Sequence, residues 1–257
     1  MKVAFITLSV EGAEVVKKAM KRFKGAHAYI HEKADANICA QRFERVTQLT
    51  EEIFNDYDGL VYVAPTGAVI RALAPMIKSK ISDPAVVVLD VGARYAVSLL
   101  SGHEGGANDL SFAVANAVGA QPVISTTTEA VKDIIIGIGC RKGKEKEKII
   151  EAINIAIDKG GVAMEQVRTL VSADVKIDET GLLDAAKELG LPIQFISSTQ
   201  IRSLGGSFKT GELVEKSVNL PAVAEPAALL ACTRATLILN KLNLDGITAA
   251  IAKEELI

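Results

Sequence analysis

Apolar residues in this chain fall into short, nearly continuous runs, and between the runs they recur every three to four positions. Residues 2–8 (KVAFITL), 59–64 (GLVYVA), 85–90 (AVVVLD), 94–100 (RYAVSLL), 122–125, 133–138 (DIIIGI), 167–173, 193–196, 235–239 and 247–252 read as strands, many of them apolar enough to be covered on both faces. Residues 27–30 and 36–40 are weaker strand candidates. Between these runs a 3.6-residue period predicts helices at 11–23, 47–56, 67–76, 106–118, 144–159, 178–189 and 225–232. Ser9 stands where an N-cap belongs, and Gly25 follows a basic last turn. The second helix, carrying Thr50-Glu-Glu-Ile-Phe, is expected to have its acids near its start. Ser197 and Thr199 offer caps for a further short helix, Gly139–Gly143 reads as a turn, and Gly205-Gly206 reads as a mobile loop. Gly92 between 85–90 and 94–100 implies a hairpin-like connection.

Strands alternating with helices through both halves give an α/β class, with two α/β domains built on mainly parallel sheets. The pattern restarts near 128–133, so residues 1–130 and 131–257 are the expected domains. Open α/β sheets bind ligands outside the carboxyl ends of their strands. The ligand cleft is therefore expected at strand ends or between the two halves. Three strand ends rich in small polar residues, at 65–68 (PTGA), 98–109 (SLLSGHEGGAND) and 125–129 (STTTE), are expected to gather on one edge.

Composition narrows the partners. The chain has 257 residues, 49% hydrophobic and 23% charged, no Trp and 4% aromatic residues, which leaves few platforms for stacking single-stranded nucleic acid. A net charge of −2 gives no basic field for nucleic acid or an anionic membrane. The first residues begin a strand directly, no run approaches the roughly 18 apolar residues of a membrane span, and a cytoplasmic protein is expected. Cys39, Cys140 and Cys232 match no metal or redox spacing and read as reduced, mostly buried thiols. The run KGKEKEK after Gly143 lacks the Walker spacing and reads as a solvated helix start.

The stretch 98–109 carries the chemistry. A strand that runs into glycines at a helix N-terminus leaves backbone N–H groups for an anion, and Gly102, Gly105 and Gly106 let the backbone approach a ligand. His103 is a side chain able to move a proton near neutral pH. An αβ connection with a glycine hinge and a surface histidine would look the same when taken alone.

The flanking motifs add to this. APTGAVIRALAP (64–75), SDPAVVVLDVGARYAVSLLSGHEGGAND (82–109) and QPVISTTTE (121–129) resemble the N-terminal domain of the cobalt-precorrin-5A hydrolases of anaerobic cobalamin biosynthesis, and IGIGCRKG (136–143), VKIDETGLLDAAKELGLPIQF (175–195) and VAEPAALLA (223–231) resemble that family's C-terminal domain. Members of the family carry a further region between the two; here TTTEAVKD runs almost straight into IIIGIGC. The resemblance implies a hydrolase of cobalamin biosynthesis that opens the δ-lactone of cobalt-precorrin-5A with water and expels acetaldehyde, leaving cobalt-precorrin-5B. It implies no cofactor of its own, since the cobalt arrives with the anionic tetrapyrrole substrate, and no resident metal.

Such a reaction needs an activated water, donors for a tetrahedral oxyanion and a base for the alcohol that forms. His103 is the expected proton mover. Glu104 either orients it or faces solvent, and Ser101 would be a nucleophile only with a base that is not evident, so direct attack by water is the simpler route. The N–H groups around Gly102, Gly105 and Gly106 are the expected oxyanion donors, with Asn108, Thr126 and Thr127 adding polar contacts. Thr66 and Gly67 begin the helix that carries Arg71. Arg71 and Arg94 in the first half, and Arg141, Lys142 and Lys176 in the second, are the expected partners of the substrate's carboxylates. Glu225 is either a partly buried acid or base of the site or the first-turn acid of a helix with Pro226 at N1. A non-catalytic corrinoid carrier is the competing reading. A nucleotide-binding protein is disfavoured, because neither G-x-G-x-x-G nor a Walker motif occurs. Neighbouring pathway enzymes and a second copy of the chain are the macromolecular partners to expect.

Overall fold

The structure, a computed structural model, describes residues 1–204 and 223–256. The Gly205-Gly206 loop expected from the sequence lies outside the described residues. The chain divides into two compact units, Met1–Thr126 and Thr127–Ile257.

The first unit runs β1 (Val3–Thr7), α1 (Val10–Met20), β2 (His27–His31), β3 (Gln41–Phe43), α2 (Val46–Ile53), β4 (Gly59–Val63), α3 (Thr66–Leu73), β5 (Ala85–Leu89), β6 (Tyr95–Leu100), α4 (Ala107–Val118) and β7 (Gln121–Val123). Its seven strands lie in the order β3-β2-β1-β4-β5-β6-β7. Every pairing is parallel except β5 with β6. The runs VAFIT, GLVYV and AVVVL are buried at every position, because helices cover both faces of the sheet. On one face α1 and α4 bury Val16, Ala19, Leu110 and Val114 against Phe5, Val61 and Val87. On the other, α2 and α3 bury Leu49, Ile53, Val69 and Leu73 against Ile6, Leu60 and Val88. The expected cap is present: Ser9 Oγ accepts from Gly12 N at 3.1 Å.

Two local readings are corrected. Residues 36–40 form no strand; the third strand begins at Gln41, and the carbonyls of Ala34 and Ala36 are bound by the Arg42 guanidinium instead of a ladder. Helix α2 starts at Val46, so Glu51 and Glu52 lie in its second half. Thr50 is an interior residue whose hydroxyl donates to Val46 O at 2.6 Å.

The second unit contains α5 (Thr127–Ala130), β8 (Ile134–Cys140), α6 (Lys146–Gly160), β9 (Val167–Ala173), α7 (Thr180–Glu188), β10 (Ile193–Ile196), α8 (Ser198–Ser203), α9 (Ala224–Leu230), β11 (Ala235–Leu244) and β12 (Ile247–Glu254). The sheet order is β10-β9-β8-β12-β11. Strands β10, β9 and β8 are parallel, whereas β12 runs antiparallel to both β8 and β11. Seven of the ten pairings in the two sheets are parallel, and the antiparallel ones concentrate in this smaller sheet. Gly139 and Cys140 belong to β8 and not to the expected turn, because Thr248 and Ile247 of β12 pair with them. The helices α6 and α7 bury Ile149, Ile153, Leu182 and Ala185 on one face, while α9 packs Ala227 and Ala228 on the other. The cysteines depart from expectation: Cys39 is exposed, and Cys140 and Cys232 are only half-buried, since all three lie at strand or helix ends or in a loop.

Candidate functional site

Strand β6 decides where the motif goes. It pairs antiparallel with β5, placing Leu100 opposite Val86 and Ala96 opposite Leu89. Ser101–Gly106 therefore leaves the sheet beside the start of β5, whereas Thr66, Gly67, Arg71 and Arg94 lie beyond the ends of β4 and β5. The three polar strand ends do not share one edge. The ends at 98–109 and 125–129 do meet, since β7 runs parallel to β6, and the five-residue β5 separates them from the end at 65–68, roughly 16 Å at about 3.3 Å per residue.

At the first edge the turn 101–106 folds tightly. Ser101 has φ +57°, is 5% exposed, and its Oγ is the buried side-chain oxygen that finds no hydrogen-bond partner among the described residues. Gly105 lies on top of it: a Cβ there would come 2.4 Å from Ser101 Cβ. Gly106, at φ +84°, starts α4. Gly105 N and Ala107 N donate to Ser101 O at 3.1 and 3.2 Å, and Asn108 N donates to Gly102 O at 2.9 Å. The N–H groups of Ala107 and Asn108 in the first turn are thus already spent, and Gly105 drops out as an oxyanion donor. The N–H groups of Gly102, His103 and Gly106 take no backbone acceptor among the described residues.

Asn108 is buried, and its amide is engaged within the fold. Its Oδ1 accepts from Ser98 Oγ at 2.8 Å and its Nδ2 donates to Thr126 Oγ1 at 3.0 Å, so β6, α4 and the segment after β7 are locked together under the turn. Thr126 is half-buried in this contact, while Thr127 is exposed at the start of α5. His103 and Glu104 are exposed. The Lys80 ammonium donates to Glu104, and that bond is the main reason the carboxyl stays below the usual glutamate range. Glu104 is therefore an ionised acceptor near neutral pH, beside His103. Lys80 was not anticipated: the loop 78–83 has no periodicity to mark it. Its shape comes from Asp83, which accepts from Lys78 N and Ser79 N at 2.8 and 3.0 Å.

At the opposite edge, Arg71 donates to Gly67 O at 2.9 Å within its own helix. Arg94 is tied to Asp90 at 3.1 Å. Burial would raise the Asp90 carboxyl, but the N–H groups of Tyr95 and Arg94 and the guanidinium outweigh it and hold it low. Both guanidinium groups are exposed, and neither stands beside His103.

In the second unit Arg141, Lys142 and Lys176 do share an edge, at the carboxyl ends of β8 and β9. Arg141 and Lys142 are exposed, and Lys176 pairs with Glu179 at 3.2 Å. The half-buried Cys140 thiol is pushed up by burial, which keeps it protonated. Glu225 is 8% exposed and accepts from Lys241 N at 3.0 Å, where β11 slips in register against β12. It ties an irregular strand to α9.

A cavity of about 500 Å³ lies beside β3 and α2, lined in part by Tyr29, Arg42, Phe43, Arg45 and Leu49, and contains none of the expected residues. Among the described residues no three His, Cys, Asp or Glu side chains gather to hold a metal ion, and no helix is long and apolar enough to cross a membrane.

Comparison with known proteins bears on both units. Residues 48–129 match the family described as Cobalamin synthesis G N-terminal, and residues 134–252 match Cobalamin synthesis G C-terminus. The chain belongs to the cobalamin synthesis G family. A family relative, the cobalt-precorrin-5A hydrolase of Priestia megaterium, is 25% identical over 354 aligned positions that cover 97% of this chain and 94% of the relative. That alignment is longer than the chain's 257 residues, so the relative carries added length. The cobalt-precorrin-5A hydrolase of Salmonella typhimurium (strain LT2) is 47% identical over 78 residues, 30% of this chain and 22% of the relative. Protein CobE of a Sinorhizobium species is 30% identical over 128 residues, 49% of this chain and 83% of that protein.

Proposed function

We propose that this member of the cobalamin synthesis G family is a cobalt-precorrin-5A hydrolase. The observation that carries the reading is a relative of that name aligned with nearly the whole of both chains. Water adds to the lactone carbonyl, and the ring C–O bond breaks to give a carboxylate and an alcohol. Loss of the alcohol proton then lets a carbon–carbon bond break: the two-carbon fragment leaves as acetaldehyde, and the electron pair stays on the macrocycle, which takes up a proton. One water is consumed and cobalt-precorrin-5B remains.

In this scheme the unspent N–H groups of Gly102, His103 and Gly106 face the developing oxyanion. His103, exposed on the same turn, moves the proton. Glu104 stays ionised under Lys80 and favours the imidazolium that forms. Ser101, covered by Gly105 and without a base, is left out of bond-making in favour of direct attack by water. Arg141 and Lys142 receive peripheral carboxylates of the substrate. The cobalt is part of the substrate, the place of action is the cytoplasm, and neighbouring pathway enzymes or a second copy of the chain are partners to look for.

The test is anaerobic incubation of the protein with cobalt-precorrin-5A, with assays for acetaldehyde and for the mass of the tetrapyrrole. One equivalent of acetaldehyde with the matching mass loss establishes the hydrolase. Substrate that binds and stays intact replaces it with a carrier.

A further inference from the structure

The basic turn after β8 is held from both sides. Gly143, at φ +75°, donates its N–H to Glu179 Oε1 at 2.6 Å, and Glu179 Oε2 accepts from Lys176 Nζ at 3.2 Å. The Glu179 and Lys176 side chains are only 9% and 13% exposed. Glu179 sits at the N-cap of α7, yet it makes no cap to its own helix; its carboxylate reaches 36 residues back to the turn. Gly181, in the first turn of α7, touches the Lys144 carbonyl so closely that a Cβ would come within 2.0 Å of it. On the other side, Arg141 N donates to Gly246 O at 3.0 Å, and the stems of Arg141 and Lys144 lie over Gly246.

The four cations at this edge are not equivalent. Lys144 is taken by Asp245 at 3.1 Å and Lys176 by Glu179, whereas Arg141 acts on Asp245 only through its longer-range field and Lys142 has no ion pair among the described residues. We propose that Glu179 is a positioning residue that fixes the 141–144 turn so that Arg141 and Lys142 present a paired cationic fork to the substrate's carboxylates. A charge-assisted bond to a backbone N–H is among the stronger hydrogen bonds of a protein. A turn already ordered loses less freedom when its cations engage a ligand. The hydrolase reading supplies the identity of that ligand, and the geometry supplies the role of Glu179.

Removing Glu179 alone would strand the buried Lys176 ammonium and unsettle the fold. The comparison is therefore made in a Lys176→Met background, adding Glu179→Ala or Glu179→Gln. Glutamine keeps an oxygen for Gly143 N, so KM for cobalt-precorrin-5A is expected to stay within about 3-fold of the background, while Glu179→Ala raises it about 10-fold with kcat within about 2-fold. With Arg141→Ala and Lys142→Ala also present, Glu179→Ala should add less than about 2-fold, since the residue acts through them. A lowered kcat with unchanged KM, or equal effects of Ala and Gln, would overturn the proposal. Should the parent protein show no turnover, the hydrolase reading fails. The same variants are then compared for Kd with uroporphyrin I, an octacarboxylate tetrapyrrole, by its Soret absorbance. The same Ala-against-Gln difference sustains the role of Glu179, and absence of binding by the parent removes it.

Discussion

Ser101 combines two costs in one residue. A non-glycine residue in the left-handed region gives up about 1–2 kcal/mol, and a buried hydroxyl without a partner gives up about 1–3 kcal/mol. Strain of this kind persists where the surroundings impose it, and at functional turns. Here the turn is imposed by Gly105 packing over the serine and by the Ser98–Asn108–Thr126 chain beneath it. Ser101→Ala removes the orphan hydroxyl and keeps the backbone, so urea unfolding should show a gain of about 1 kcal/mol. If water attacks the lactone directly, as proposed, turnover should stay within about 3-fold; a thousandfold loss would make Ser101 the nucleophile. His103→Ala should behave in the opposite way. The exposed ring contributes little to folding, so the melting temperature should hold, while kcat falls by about 100-fold or more if the imidazole is the general base.

At the scale of elements, one strand direction redistributes the site. With β6 antiparallel to β5, Arg71 and Arg94 lie across the sheet from His103. Substitutions far apart with no shared partner add. Arg71→Ala and Arg94→Ala should each change kcat by less than about 3-fold and combine additively with His103→Ala in steady-state rates; a loss equal to that of His103→Ala would mean that the edges act together. This division was within reach of the sequence. Only five residues, Asp90–Arg94, separate the two strands, too few for the crossover that a parallel pair needs, which runs to a dozen or more. A hairpin at Gly92 by itself puts Ser101–Gly106 at the edge where β5 begins. Strands such as VAFIT and AVVVL and the Ser9 cap were legible because burial on both faces and an unsatisfied helix end leave local signatures. Lys80, Ser98 and Glu179 were not, since each acts through a contact 10 or more residues away: with Glu104, Asn108 and Gly143 respectively. The IDETG stretch around Glu179 carries the ordinary signal of a helix start and hides a carboxylate engaged elsewhere.

At the scale of the whole chain, each apolar cluster draws its residues from one unit only. A fragment of residues 127–257 should therefore fold by itself, with cooperative urea unfolding. Its acid sensitivity can be read from Glu254, the last residue of β12, which pairs with Arg168 and, at 3.4 Å, with Arg234. Burial would raise this carboxyl, but the Cys232 thiol and the two guanidinium groups outweigh it and hold it below the usual glutamate range. A carboxyl with a folded pKa below its unfolded value of about 4.3 contributes its full stabilisation above that value and loses it as the pH falls through the lower folded pKa. Glu254→Gln should then cost about 1–3 kcal/mol at pH 7, where two partly exposed guanidinium groups lose their anion. That difference from the parent should shrink steadily below about pH 4.3, because the unfolded chain takes up a proton there that the native carboxylate resists until lower pH. Urea unfolding of fragment and full-length chain at pH 7 and pH 3 checks both statements. A gap between parent and variant that persists undiminished at pH 3 would mean that Glu254 stabilises the sheet by packing and not by charge.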